Sequence, residues 1–315
     1  MICILFIIPS VASGQDIFSP AGYQSTMINN PGVTGSEGNG YVRLSYLNHY
    51  PGNNFNLHTA YISYDAYFPS LHGGAGFYLS DNYLGGIIND LRGGLSYSYF
   101  FQAGRNLFFS AGLSASFLHR GYSFTGAVLP DQIDPLMGVV SLSQETLSPT
   151  GRTVFDIGTG LLVISERVFG GIAVNHLATP DLYKSEFGDV SLSRCLLIHI
   201  AGDIGINRDK NLLLRPVGKV ELQKEFLSGG AGAVLEANHL AINSIFFFNN
   251  HRDIDLQTGF SVNFAGMIFS YNYYFNIKSG INLLPVSVLH QAGIGVSLNN
   301  VDKRKTVKTI NFPKL

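Results

Sequence analysis

His199 and Asp203 stand four residues apart, Asn175 immediately precedes His176, and Arg43, Asp65, Asp90, Arg92, Asp156, Arg215, Lys219 and Glu221 add charge to a chain that has little of it. A His with a carboxylate can hold a metal ion or orient a proton, and a His beside an amide could serve a serine nucleophile. Each reading depends on the backbone that carries the pair. On a β-strand, positions 199 and 203 share a face but lie roughly 13 Å apart, too far for direct contact. Strand neighbours such as Asn175 and His176 point to opposite faces, so without local distortion they cannot serve one nucleophile. The chain has no GxSxG elbow, no zinc-ligand spacing and no phosphate-binding glycine loop. Its two cysteines, Cys3 and Cys195, make no disulfide framework. No catalytic residue, cofactor or metal is expected.

Composition narrows the class. Charged residues make up 13% of the 315 positions, aromatic residues 12%, and there are 36 glycines. This mix is poor in the Lys and Glu that solvate soluble helices. The net charge of -1 removes the basic face that nucleic acid binding needs. The apolar run 2–11, followed by Ala12-Ser13-Gly14, reads as an export signal cleaved before Gln15. After residue 14 no stretch approaches the roughly 18 apolar residues of a membrane-spanning helix, yet mean hydropathy is positive at +0.18. A β-barrel reconciles the two, because its apolar residues occupy alternate positions.

The alternation is plain near the C-terminus. Ile254, Leu256, Thr258, Phe260, Val262 and Phe264 share one parity against Asp255, Gln257, Gly259, Ser261 and Asn263. After Ala265-Gly266 it resumes with Met267, Phe269, Tyr271, Tyr273 and Phe275, which reads as a tight hairpin. The same reading places strands at 40–50, 56–66, 73–81, 87–101, 105–118, 152–164, 167–176, 193–206, 211–222, 229–236, 240–248, 254–264, 266–276 and 285–298. About fourteen strands form an all-β, transmembrane antiparallel barrel over residues 40–298. Connections after even-numbered strands are short, whereas those after odd-numbered strands include the two longest, 119–151 and 177–192. Such barrels turn tightly on the periplasmic side, so both termini are expected there, with 15–39 as a periplasmic segment and 299–315 as a basic periplasmic tail carrying Lys303, Arg304, Lys305, Lys308 and Lys314.

If the apolar parity faces lipid, the charged residues named above line the lumen. Their signs are mixed and nearly balanced, which favours paired cross-links across the wall over a single-sign selective constriction. Residues 119–151 are the expected inward-folding plug. His290 falls among the apolar parity of its strand, which implies a bulge there or a place in an interfacial ring.

Several segments resemble the PorP/SprF family of Bacteroidota. Gln15-Asp16-Ile17-Phe18-Ser19 and then Asn29-Asn30-Pro31-Gly32-Val33-Thr34-Gly35 resemble the family's opening QD and N-P-A-Y-A-G stretches, with Gly32-Val33-Thr34 in place of A-Y-A. Arg43-Leu44-Ser45-Tyr46 resembles the R-x-Q-W region, although His49-Tyr50 stands where Gln-Trp is usual. Phe155-Asp156-Ile157-Gly158-Thr159-Gly160-Leu161 and Phe169-Gly170-Gly171-Ile172-Ala173-Val174-Asn175-His176-Leu177 resemble the F-D-x-G-x-G-L and Y-x-G-x-S-x-x-H-L hairpin. Arg215-Pro216 and Leu289-His290-Gln291 resemble the later K-P and S-H-E landmarks. The resemblance implies a non-enzymatic outer-membrane component of type IX secretion or gliding motility. Its implied partners are outer-membrane lipid, cargo proteins with a C-terminal sorting domain, and periplasmic secretion-ring components. The alternative function is a passive channel for small solutes.

Overall fold

The computed structural model describes residues 26–49, 51, 57–124, 128, 130–134, 136–139, 150–183, 190–206, 212–278 and 288–298. The expected signal peptide 1–14 and basic tail 299–315 lie outside the described residues. Fourteen strands form the wall. They are β1 (Tyr41–His49), β2 (Leu57–Phe68), β3 (Gly73–Leu84), β4 (Ile88–Gly104), β5 (Leu107–Tyr122), β6 (Thr150–Ile164) and β7 (Val168–Asn175), followed by β8 (Cys195–Gly202), β9 (Leu212–Gln223), β10 (Phe226–Ala237), β11 (Leu240–Asn249), β12 (Ile254–Phe264), β13 (Met267–Lys278) and β14 (Val288–Ser297).

Each strand pairs antiparallel with its sequence neighbour, and β1 pairs with β14 from Tyr41↔Ser297 to His49↔Leu289. The sheet therefore closes and leaves no unpaired edge, the condition for a sheet to survive in hydrocarbon. Apolar side chains such as Leu95, Leu113, Phe155 and Phe264 stand exposed on the outer wall. The alternating parity thus faces outward as expected, while Ser, Asn, Gln and charged residues turn inward. The turns confirm the hairpin reading at β12–β13, where Ala265 (φ 52°) and Gly266 (φ 85°) make the two-residue left-handed turn that matches strand twist.

The expected strand 193–206 is interrupted at Asp203, beyond which only Ile204–Gly205 pairs again with β9. Strand β5 runs on to Tyr122, so part of the expected loop 119–151 belongs to the wall. The described remainder of that loop does not fold inward: Leu136 is 96% and Met137 79% exposed. Among the described residues, two other segments pack against the inner wall. Leu182 and Leu192, from the connection after β7, pack on Leu118 and Val154 at the end bearing the long loops. At the other end, Val33 packs with Tyr67, Phe100, Phe108, Leu162 and Ile164, and between the two Met27 and Ile28 pack with Tyr61 and Tyr78. The expected periplasmic segment 15–39 is therefore, over its described part, inside the barrel. Its apolar residues are covered by the wall, and inward Ser and Gly positions leave room for its backbone.

His290 needs no bulge, because β14 keeps unbroken register with both neighbours. It belongs to an aromatic cluster on the outer wall near the long-loop end. Its ring lies 5.0 Å from that of Tyr273, and its Nδ1 is 2.5 Å from the Tyr271 hydroxyl. Nearby, His58 stacks on Tyr83 at 5.0 Å. Amphipathic rings of this kind suit the level of lipid headgroups.

Candidate functional site

Inside the wall, residues 26–39 fold on themselves before entering β1. Pro31–Val33 form one turn of 3-10 helix, with Pro at its start and Asn30 as its cap. The cap oxygen, Asn30 Oδ1, accepts the Gly32 N–H at 2.9 Å. The amide nitrogen is then left for the wall. It donates to the Leu161 carbonyl at 3.3 Å and lies 2.9 Å from Nε2 of His199. An amide nitrogen can only donate, so Nε2 accepts and the neutral His199 ring carries its proton on Nδ1.

Four further wall residues grip the backbone of the segment. Asn175 Nδ2 donates to the Asn29 carbonyl at 2.9 Å, Ser110 Oγ to Gly32 at 2.7 Å and Ser98 Oγ to Thr34 at 2.6 Å. Asp65 Oδ2 accepts the Gly35 N–H at 2.7 Å. Asp65 is itself held by Arg43 at 2.5 Å, and Arg43 also pairs with Glu37 and covers the Tyr41 ring at 4.3 Å. Wall glycines shape the space. A Cβ at Gly112 would come within 2.2 Å of the Pro31 carbonyl carbon, one at Gly160 within 2.0 Å of Asn30 Oδ1, and one at Gly171 within 2.5 Å of Asn30 Nδ2. Close approach of backbone to a ligand is a use to which only glycine is suited.

Beside the segment lies a polar cavity of about 30 Å³, lined by Asn29, Arg92, Asp156, Asn175, His176 and Glu221 among others. That is room for about one water. His176 Nδ1 is 2.6 Å from Asp156 Oδ2, and Asp156 Oδ1 is buried with no hydrogen-bond partner among the described residues. Asn175 and His176 both reach this cavity. The strand ends at Asn175, and His176 takes a left-handed φ of 60°, which swings it to the same side as its neighbour. The expectation of opposite faces fails there for that local reason.

Among the remaining charges, Arg120–Asp90 and Arg215–Glu236 pair across strands, whereas Lys219 and Glu221 pair along β9. Arg120 embraces Asp90 with contacts of 2.7 and 2.5 Å. Arg215 meets Asp203 at 2.7 Å and Glu236 at 3.5 Å, and Lys219 meets Glu221 at 3.1 Å. Arg92 is buried against the cavity. His199 and Asp203, sharing a face, go to different partners. The opposite half of the lumen carries a neutral ladder that a survey of charges alone overlooks. In it Asn243 Nδ2 donates to Asn272 Oδ1 at 2.9 Å, Asn272 to Gln291 at 3.3 Å, and Gln291 to Ser45 at 3.3 Å. Its members lie on β11, β13, β14 and β1, at positions of the polar parity. Ser98, Ser110, Arg120 and Glu236 were likewise missed, the two serines because inward serines look like mere space fillers.

The motif residues divide into two sets. Asn30, Pro31 and Gly35 belong to the internal segment, Arg43 fixes its acceptor Asp65, Gly160 and Gly171 make room for it, and Asp156 and His176 meet at the cavity. At Gly158 a Cβ would lie 2.7 Å from Asn175 Oδ1 and Ser114 Oγ. Phe155, Pro216 and His290 face outward, and Leu177 follows β7 with its N–H on the Ile157 carbonyl at 3.0 Å.

In fold, the chain is similar to solved outer-membrane channels. The Ralstonia pickettii toluene transporter TbuX aligns with a TM-score of 0.53 at 13% identity, covering 86% of this chain and 92% of that one. The P. putida toluene transporter TodX aligns with a TM-score of 0.53 at 12% identity, covering 87% and 93%. No curated protein matches the sequence. The family profile described as "Type IX secretion system membrane protein PorP/SprF" matches residues 12–300. The chain belongs to the PorP/SprF family of type IX secretion system membrane proteins, and is an outer-membrane β-barrel rather than an enzyme.

Proposed function

We propose that the barrel serves as a receptor or anchor at the cell surface for secreted proteins bearing a C-terminal sorting domain. In this reading the signal peptide is removed before Gln15, the long loops face outward, and both termini and the short turns face the periplasm. Family membership implies partners within the secretion machinery. The basic tail and short turns are the parts proposed to meet its periplasmic ring.

The observation that carries the reading is a lumen entered from both ends, by residues 26–39 and by Leu182 and Leu192. A lumen narrowed by these segments disfavours free diffusion of solutes and gives weight to the loops, since recognition commonly resides on loops held by a rigid frame. The hairpin Ile133–Asp134 with Gly138–Val139 presents Leu136 and Met137 to solvent. The channel reading rests on shared barrel architecture alone. Affinity purification of the tagged chain from detergent-extracted outer membranes tests the proposal. Sorting-domain cargo and ring components are expected to co-purify. Absence of both, together with a stable open current from the purified barrel in planar bilayers, would overturn it in favour of the channel.

A further inference from the structure

Residues 26–39 are held in a way that neither a strand nor a core element is. Among the described residues, the backbone–backbone hydrogen bonds of 26–38 close within the segment: Asn29 and Asn30 to Thr26, Val33 to Asn30, Thr34 to Pro31, Ser36 to Val33 and Gly38 to Gly35. The wall is complete without them, because its strands close on one another around the full ring. Between the two, wall side chains contact segment backbone: Asn175, Ser110, Ser98 and Asp65 reach three carbonyls and one N–H. The segment side chain held most closely is Asn30, fixed by Leu161 and His199 in a space that Gly160 and Gly171 keep open.

The geometry points to the lumenal wall as a peptide-binding site for Asn-Pro-Gly turns, with residues 26–39 as its tethered and exchangeable occupant. Backbone recognition makes the site tolerant of flanking sequence, while the close fit around position 30 selects for asparagine. The tether to β1 keeps the local concentration of the resident segment high, so a free peptide enters only when the resident copy is weakened. The ligand class is a polypeptide turn presented by a second chain, and nothing in the proposal depends on the cargo reading above.

The test uses the full chain in detergent and a fluorescent synthetic peptide of residues 26–39, followed by anisotropy. Asn30→Leu removes the donor to Leu161 and His199 and the acceptor for the Gly32 N–H, and is expected to release the resident segment. That variant should bind the peptide at least tenfold more tightly than the unaltered protein does. Adding Gly160→Ala, whose Cβ has Asn30 Oδ1, Asn30 Cγ and Pro31 Cδ as its nearest neighbours, should abolish binding, and a peptide carrying Asn30→Leu should not bind. Folding is checked by heat-modifiable electrophoretic migration. Should Asn30→Leu not fold, Gly32→Val replaces it, since its Cβ would meet the Gly160 carbonyl oxygen at 3.3 Å. Peptide binding no tighter than that of the unaltered protein, or binding that survives Gly160→Ala, overturns the proposal.

Discussion

Asn30 and His199, 169 positions apart in the chain, meet at 2.9 Å in the middle of the lumen, the amide donating and the imidazole accepting. The contact joins the internal segment to β8 and fixes the tautomer of the ring. His199→Leu removes the acceptor from a buried donor, with an expected loss of about 1–2 kcal/mol. His199→Gln, which restores an acceptor oxygen, should recover part of it. Urea unfolding in lipid vesicles reads both values. Equal losses would mean that the ring acts by volume alone.

Gly35 and Gly74 approach each other closely where segment meets wall. A Cβ on Gly35 would lie 2.4 Å from the Gly74 Cα, and one on Gly74 would lie 2.1 Å from the Thr34 carbonyl oxygen. Alanine at either position is expected to cost about 1–3 kcal/mol through overcrowding. Gly35→Ala should be the worse, because its φ of 70° is left-handed. Protease cleavage within 26–39 should rise in both variants. Unchanged resistance would show that the segment adjusts without leaving.

Asp90 is buried, Arg120 is half-buried, and two hydrogen bonds join them. Removing one partner leaves a partly screened charge without its counterpart, so Asp90→Leu should cost about 1–3 kcal/mol. The double replacement with Arg120→Leu should be milder than the single one. A double-mutant cycle with additive losses would deny the coupling.

At the tip of the longest loop, the Asp134 carboxylate accepts the N–H groups of Leu136 at 2.8 Å and Met137 at 2.9 Å. These bonds hold its pKa below the usual carboxylate value. A depressed pKa means that the turn is supported above the unfolded-state pKa and loses that support as pH falls through the folded one. Amide exchange at Leu136 and Met137, corrected for its intrinsic pH dependence, should accelerate below that point. Asp134→Asn, still an acceptor, should flatten the dependence; an identical profile in the variant would assign it to another group.

Leu95 lies mid-strand on the outer wall and is 69% exposed. If that face meets hydrocarbon, Leu95→Arg should cost about 2–4 kcal/mol, read as the folded fraction recovered in lipid vesicles. A neutral outcome would contradict the assignment of the outer surface.

Much of the wall was legible in the sequence because strand parity is a local signal. Fourteen strands, the β12–β13 turn and the alternation of short and long connections follow from neighbours two residues apart. What fills the lumen was not legible. Residues 26–39 show no periodicity, and their partners Asp65, Ser98, Ser110, Asn175 and His199 are scattered along the chain as ordinary inward polar positions. Loop length pointed to 119–151, but the inward packing is done by Leu182 and Leu192 from a shorter connection. Asn30, Gly160 and Gly171 stood out through family resemblance, yet only the three-dimensional arrangement shows that they occupy one place. The left-handed φ of His176 has no local sequence cue such as glycine to announce it.

The seam between β1 and β14 has a consequence for biogenesis. It joins residues about as distant in the chain as any, Tyr41 to Ser297, so by loop-closure entropy it should be among the last pairings to zip. Residues 26–39 run directly into β1, one lip of that seam, yet are gripped by β2, β4, β5, β7 and β8. An unsealed, curling sheet can receive them sideways, whereas a sealed one must be threaded from its end. Early docking would also carry β1 toward its final position before it has paired with its last partner.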